Sequence, residues 1–141
     1  MSGPKQSLRL LLALALALAS VGCGKFRQIS ACRAVALEVN AAVAEIEALS
    51  RAKPLDELRI AKRYAALAQS LQPRAVGDTP RAVALRDYIA VLQATDTTLR
   101  NHAAVLKAST GSKVAEPRRE LERLLKRSHA AAVRIDVACE R

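Results

Sequence analysis

Tryptophan is absent from the 141 residues, and one phenylalanine and two tyrosines are the only aromatic side chains. A core made without more of them must be built from Ala, Leu, Val and Ile, which bury less area per residue. The same scarcity removes the aromatic platforms on which nucleic-acid bases stack. A chain of net charge +10 is therefore still expected to bind no nucleic acid. The only histidines, His102 and His129, fall on separate helical segments, outside the centres of the apolar stripes. No Glu-x-x-His pair marks a di-iron bundle, and no Cys-x-x-Cys-His run marks a haem. Gly-rich phosphate loops and the nucleophile elbow are missing too, and no local pattern arranges Ser, His and Asp for nucleophilic catalysis. These absences argue against an enzyme and against a bound cofactor or metal. Strand-like alternation is absent throughout. No apolar run reaches the roughly 20 residues of a membrane span, the longest being Leu10 to Val21.

What is present begins at the N-terminus. Lys5 and Arg9 are the only charges in the first nine residues, Leu10 to Ala19 is an unbroken Leu/Ala run, and Ser20-Val21-Gly22 leads into Cys23. A basic start, a short apolar stretch and a small-residue exit are the marks of a secretory signal. Ending at a cysteine, this segment resembles a bacterial lipoprotein precursor. The resemblance covers Met1 to about Gly24 and implies cleavage before Cys23, whose thiol is lipidated. Gly24, in place of the Asp that retains such proteins in the inner membrane of enteric bacteria, points to the outer membrane. A competing cut after Ala17-Leu18-Ala19 would release a soluble protein starting at Ser20. Cysteine arithmetic favours the lipoprotein: of Cys23, Cys32 and Cys139, lipidation of the first leaves one pair for an oxidising compartment.

The chain then divides into a leader (1–22), a lipidated cysteine with a short tether (23–27) and one domain (28–141). The mature part has 141 − 22 = 119 residues and, with Lys5 and Arg9 removed, a charge of +10 − 2 = +8, which suits a single modest core. Apolar residues recur at three- and four-residue steps in four segments. The first runs from Gln28 to Ala52, with Ile29, Cys32, Ala36, Val39, Val43 and Ile46, and stops at Lys53-Pro54. Pro54, Asp56 and Glu57 open the second, which carries Leu58, Ala61, Tyr64, Ala65, Ala68 and Leu71. After a loop over Gln72–Asp78, Thr79-Pro80 starts the third, which ends near Ala108. Ser109-Thr110-Gly111-Ser112 is a turn, and the fourth runs from Glu116 to the C-terminus. Four amphipathic helices joined by short turns predict an all-α, antiparallel up-down-up-down four-helix bundle. That topology brings the start of the first helix beside the end of the last, where Cys32 and Cys139 can form a disulfide.

Two features are candidate sites. Arg119, Arg123, Lys126, Arg127, Arg134 and Arg141 lie within about 100° of arc on the fourth helix, opposite its apolar face. Such a stripe suits an anionic envelope polymer or a headgroup surface, or is a solvated face braced by Glu116, Glu120 and Glu122. Lys25 and Arg27 beside the anchor suit anionic headgroups in the same way. On the third helix Asp96 interrupts the stripe Leu85, Ile89, Leu92, Leu99, Ala103 and Leu106, and Ser128 lies mid-stripe on the fourth. Asp96 and Ser128, with His102 or His129, would form a polar or metal-binding layer, or one that only fixes register, with Arg100 as a further partner for the carboxylate. The expectation is a non-enzymatic, lipid-anchored envelope protein that works by interaction or scaffolding. The alternatives are a periplasmic bundle binding a small ligand or metal, and a soluble secreted factor cut after Ala19.

Overall fold

Prolines and their neighbours punctuate the chain. In the computed structural model, which describes the backbone of residues 4–108 and 115–140 and the side chains of residues 24–108 and 119–140, α1 spans Pro4–Arg51. It ends just before Lys53-Pro54. Asp56 then caps α2 (Glu57–Leu71), its carboxylate accepting the Arg59 backbone N–H at 3.0 Å, with Glu57 in the first turn complementing the helix dipole. A short 3₁₀ turn, Gln72–Arg74, follows. Gly77, at φ +92°, takes the left-handed conformation that a side chain resists. Arg86 donates to the carbonyls of Ala75 and Gly77 at 3.0 and 2.6 Å and pins this loop. Thr79 caps α3 (Pro80–Ala108) by accepting the Ala82 N–H at 3.2 Å. The last helix, α4, spans Ala115–Glu140.

One boundary differs from the sequence reading. The first helix was expected to begin at Gln28 after a tether, but α1 starts at Pro4, so Gly24–Arg27 are helical. No proline lies between Pro4 and Pro54, and single glycines such as Gly22 and Gly24 cost a helix only about 1 kcal/mol each. The side chains of the leader and of Cys23, the Ser109–Ser112 turn, the Glu116 side chain and Arg141 lie outside the described residues.

Compactness divides the chain into two units, Met1–Ala34 and Val35–Arg141. The second holds the bundle, and its cross-helix contacts fix the topology. Glu38 pairs with Arg74 and Glu45 with Arg63, so α1 and α2 run antiparallel. Glu57 at the start of α2 meets His102 near the end of α3. Asp87 near the start of α3 meets Arg134 near the end of α4, 3.6 Å away. This is the antiparallel up-down-up-down four-helix bundle, and Cys32 and Cys139 are disulfide-bonded.

Among the described residues, the buried positions of α1, α3 and α4 centre on one kind of seam. In α1 they are Val35, Ala42 and Ile46, with Val39 and Leu49 packed against them. In α3 they include Leu85, Tyr88, Leu92, Thr95, Leu99 and His102, and in α4 Leu124, Ala131 and Ile135. Alternating steps of three and four residues are the a/d seam of a left-handed bundle. On α2 the expected Ala61, Tyr64, Ala68 and Leu71 are buried, whereas on α1, α3 and α4 the expected stripes share one row of the seam and largely miss the other. Ile29, Ala36, Val43, Leu58, Leu106 and Leu125 face solvent instead. In α1 the sequence is apolar in both competing rows, so the stripe is wider than the seam it supplies.

Candidate functional site

The basic stripe on α4 is exposed as expected: Arg119, Arg123, Lys126, Arg127 and Arg134 all face solvent. Two of the five are engaged. Arg123 pairs with Glu120 one turn back at 3.2 Å, and Arg134 reaches across to Asp87 of α3. Among the described residues, Arg119, Lys126 and Arg127 form no ion pair. Three guanidinium and ammonium groups within nine residues of one helix thus retain their donors for an external anion, while Arg134 is tied to the fold. Next to it, Val83, Ala84, Val137 and Ala138 line an open groove of about 480 Å³ between α3 and α4. A second open groove of about 550 Å³ lies between α1 and α2, where Arg59, Lys62 and Arg63 stand over Ala48, Leu49 and Ala66.

Inside the bundle, the seam decides which polar groups are buried. Asp96 was expected near the centre of the α3 face, but its neighbour Thr95 holds that place, fully buried and donating to the Val91 carbonyl at 2.8 Å. Asp96 sits at the edge, its side chain 19% exposed, and accepts from Arg100 at 2.7 Å. This spares the fold the cost of a buried unpaired carboxylate. Ser128, half-buried on α4, hydrogen-bonds Tyr88 of α3, whose phenol neighbours that of Tyr64 on α2. The polar layer therefore consists of Tyr64, Tyr88 and Ser128. Burial raises the pKa of both tyrosines above the ordinary value of 10.0. Tyr88 pushes Tyr64 further in that direction, whereas the Ser128 hydrogen bond partly offsets the effect at Tyr88.

The second buried polar pair is His102 with Glu57. His102 was expected outside the centre of its stripe, but it is 91% buried, since it occupies the seam row of Tyr88 and Thr95. Its Nδ1 lies 2.7 Å from both carboxylate oxygens of Glu57. A carboxylate only accepts, so Nδ1 carries the proton and donates it. Among the described residues Nε2 is buried without a partner. An imidazole oriented by a carboxylate has the parts of a general base, yet a base must reach the proton it removes, and this Nε2 is sealed. What the pair does chemically is fasten the start of α2 to the end of α3. Glu57 and His102 stand 45 residues apart, so no local motif joins them. The signal that could have found them is the seven-residue spacing of Tyr88, Thr95 and His102. His129 is exposed. Among the described residues no group of three His, Cys, Asp or Glu side chains is placed to hold a metal ion, and no helix is long and apolar enough to cross a membrane.

Comparison of the chain with protein-family models, with curated proteins and with solved structures finds no match.

Proposed function

We propose that this is a non-enzymatic, lipid-anchored protein of the bacterial cell envelope, held by an acylated Cys23 in the outer membrane and acting as an interaction or scaffolding module. The observation that carries the reading is the use of the cysteines. Cys32 and Cys139 are bonded to each other, so Cys23, at the end of the leader, is the one cysteine left over. An odd thiol in an exported chain needs a use, and acylation supplies it. A single acyl chain binds membranes reversibly, whereas several anchor stably. The bundle then offers neighbours a rigid body whose exposed α4 face, Arg119, Lys126 and Arg127 foremost, suits an anionic partner such as an envelope polymer or an acidic protein surface.

Intact mass spectrometry of the full chain expressed in a Gram-negative host tests this, on membrane and soluble fractions, before and after reduction with alkylation. The expected species is membrane-bound, starts at Cys23, carries added lipid mass and takes up alkylating reagent at two cysteines only after reduction. A soluble species starting at Ser20 with no lipid mass would sink the anchor. A stoichiometric small-molecule or metal adduct in the native mass would favour a ligand-binding bundle over a scaffold.

A further inference from the structure

We propose that the first turns of α1 after Cys23 form a membrane-contact face, seating Phe26 and Ile29 among the headgroups of an anionic phospholipid bilayer. The proposal rests on the anchored reading for its setting and deepens it by naming the surface that the chain touches. Every residue from Gly24 to Ser30 is exposed. Phe26 is the only phenylalanine of the chain and is 75% exposed, with Ile29 at 64%. The other two aromatic residues, Tyr64 and Tyr88, are both buried. A chain so poor in aromatics thus leaves one of three in water, three residues from the proposed acylation site.

At about 100° per residue, Phe26, Ile29 and Arg33 share one side of the helix, with Lys25 and Arg27 on its flanks. An apolar pair rimmed by cations is the arrangement with which interfacial helices enter the headgroup region. Charge selects the occupant. No acidic residue occurs before Glu38, and Lys25, Arg27 and Arg33 carry all the charge between Cys23 and that residue. An anionic surface is attracted along this whole stretch, each basic residue adding about fivefold to binding. An apolar protein partner would use Phe26 and Ile29 but would leave these three cations unanswered.

The absence of tryptophan supplies a clean probe. Phe26→Trp introduces a single indole, aromatic for aromatic at an exposed position, and Leu106→Trp does the same at a half-exposed site near the end of α3. Each full-length variant is purified from its host, checked for helix content by circular dichroism, and placed with vesicles containing phosphatidylglycerol or only phosphatidylcholine, with brominated acyl chains as quencher. The expected result is a blue-shifted Phe26→Trp emission that brominated lipid quenches in the anionic vesicles. Loss of that quenching is expected when Lys25, Arg27 and Arg33 are changed to Gln, and Leu106→Trp remains unquenched throughout. A water-like, unquenched Phe26→Trp in anionic vesicles overturns the inference. If that happens while Cys23 carries lipid mass, the anchor stands and only this contact falls. If no lipid mass is found, quenching of the free protein by added anionic vesicles still decides the contact independently of the anchor.

Discussion

Glu57 and His102 pose the sharpest question of a single residue's worth. Both side chains are nearly buried, and they share a hydrogen bond on which each depends. Removing one partner strands the other, at the desolvation cost of a buried polar group, whereas replacing both with apolar groups of similar shape strands nothing. Glu57→Met and His102→Leu are each expected to destabilise the protein by about 2 kcal/mol. The double variant should lose clearly less than the sum, with a coupling of about 1 kcal/mol or more in a urea-denaturation cycle. Simple additivity would show that the pair is not coupled. The tyrosines allow a second test through pH. Both phenols have pKa values raised above 10.0 by burial. An acid raised in the folded state leaves stability intact below its unfolded value and erodes it as pH climbs from there through the folded value, because the unfolded chain releases protons that the folded one keeps. Stability is expected to fall above about pH 10, and less steeply in Tyr64→Phe and Tyr88→Phe. Tyr88→Phe should also lose about 1 kcal/mol at neutral pH with its Ser128 bond. With no tryptophan present, tyrosinate absorbance reads these two residues alone, and it should rise together with unfolding. Parallel pH profiles for wild type and variants would refute the assignment.

At the scale of elements, the helix starts rest on two small side chains. Thr79 and Asp56 each satisfy one otherwise orphaned backbone N–H. Thr79→Ala and Asp56→Ala should each cost about 1 kcal/mol and, capping different helices, should nearly add when combined, as denaturant midpoints at constant m-value would show. An unchanged midpoint would mean that solvent caps these helices equally well. Such boundaries were legible in the residues, because Lys53-Pro54, Asp56, Gly77 and Thr79-Pro80 act through local sterics and local hydrogen bonds. The four-helix order was legible for the same reason. The faces were not. A residue three steps on from a shared row and one four steps on lie about 100° apart, and both are often apolar here: Val35 and Ala36, Ala42 and Val43, Leu124 and Leu125, Ala131 and Ala132. Only packing against neighbouring helices selects between them. The choice fell on the three-step row, adding Tyr88, Thr95 and His102 to the core on α3 and releasing Asp96 to Arg100. The whole revision of the polar layer, from Asp96 with Ser128 to Tyr64, Tyr88 and Ser128, follows from that one rotation.

For the molecule as a whole, the core is the weak point and the disulfide the remedy. Among the described residues, apart from two tyrosines, the buried hydrophobic residues are all Ala, Leu, Val and Ile, and seven are alanine, which contributes little area each. The Cys32–Cys139 bond closes a loop of 139 − 32 = 107 residues. Confining the unfolded chain over that length stabilises the fold by up to about 4–5 kcal/mol in the chain-entropy model, a large part of the roughly 5–15 kcal/mol typical of a domain. Reduction should therefore lower the urea midpoint steeply. It should also raise the m-value, because an uncrosslinked unfolded chain exposes more surface. Cys32→Ser/Cys139→Ser, unaffected by reductant, should coincide with the reduced wild type on both counts. If reduction lowers the midpoint and the double variant does not, the reductant acts elsewhere and the loop-closure account fails. If neither moves it, the alanine-rich seam holds the bundle unaided, and the bond's part in stability is nil.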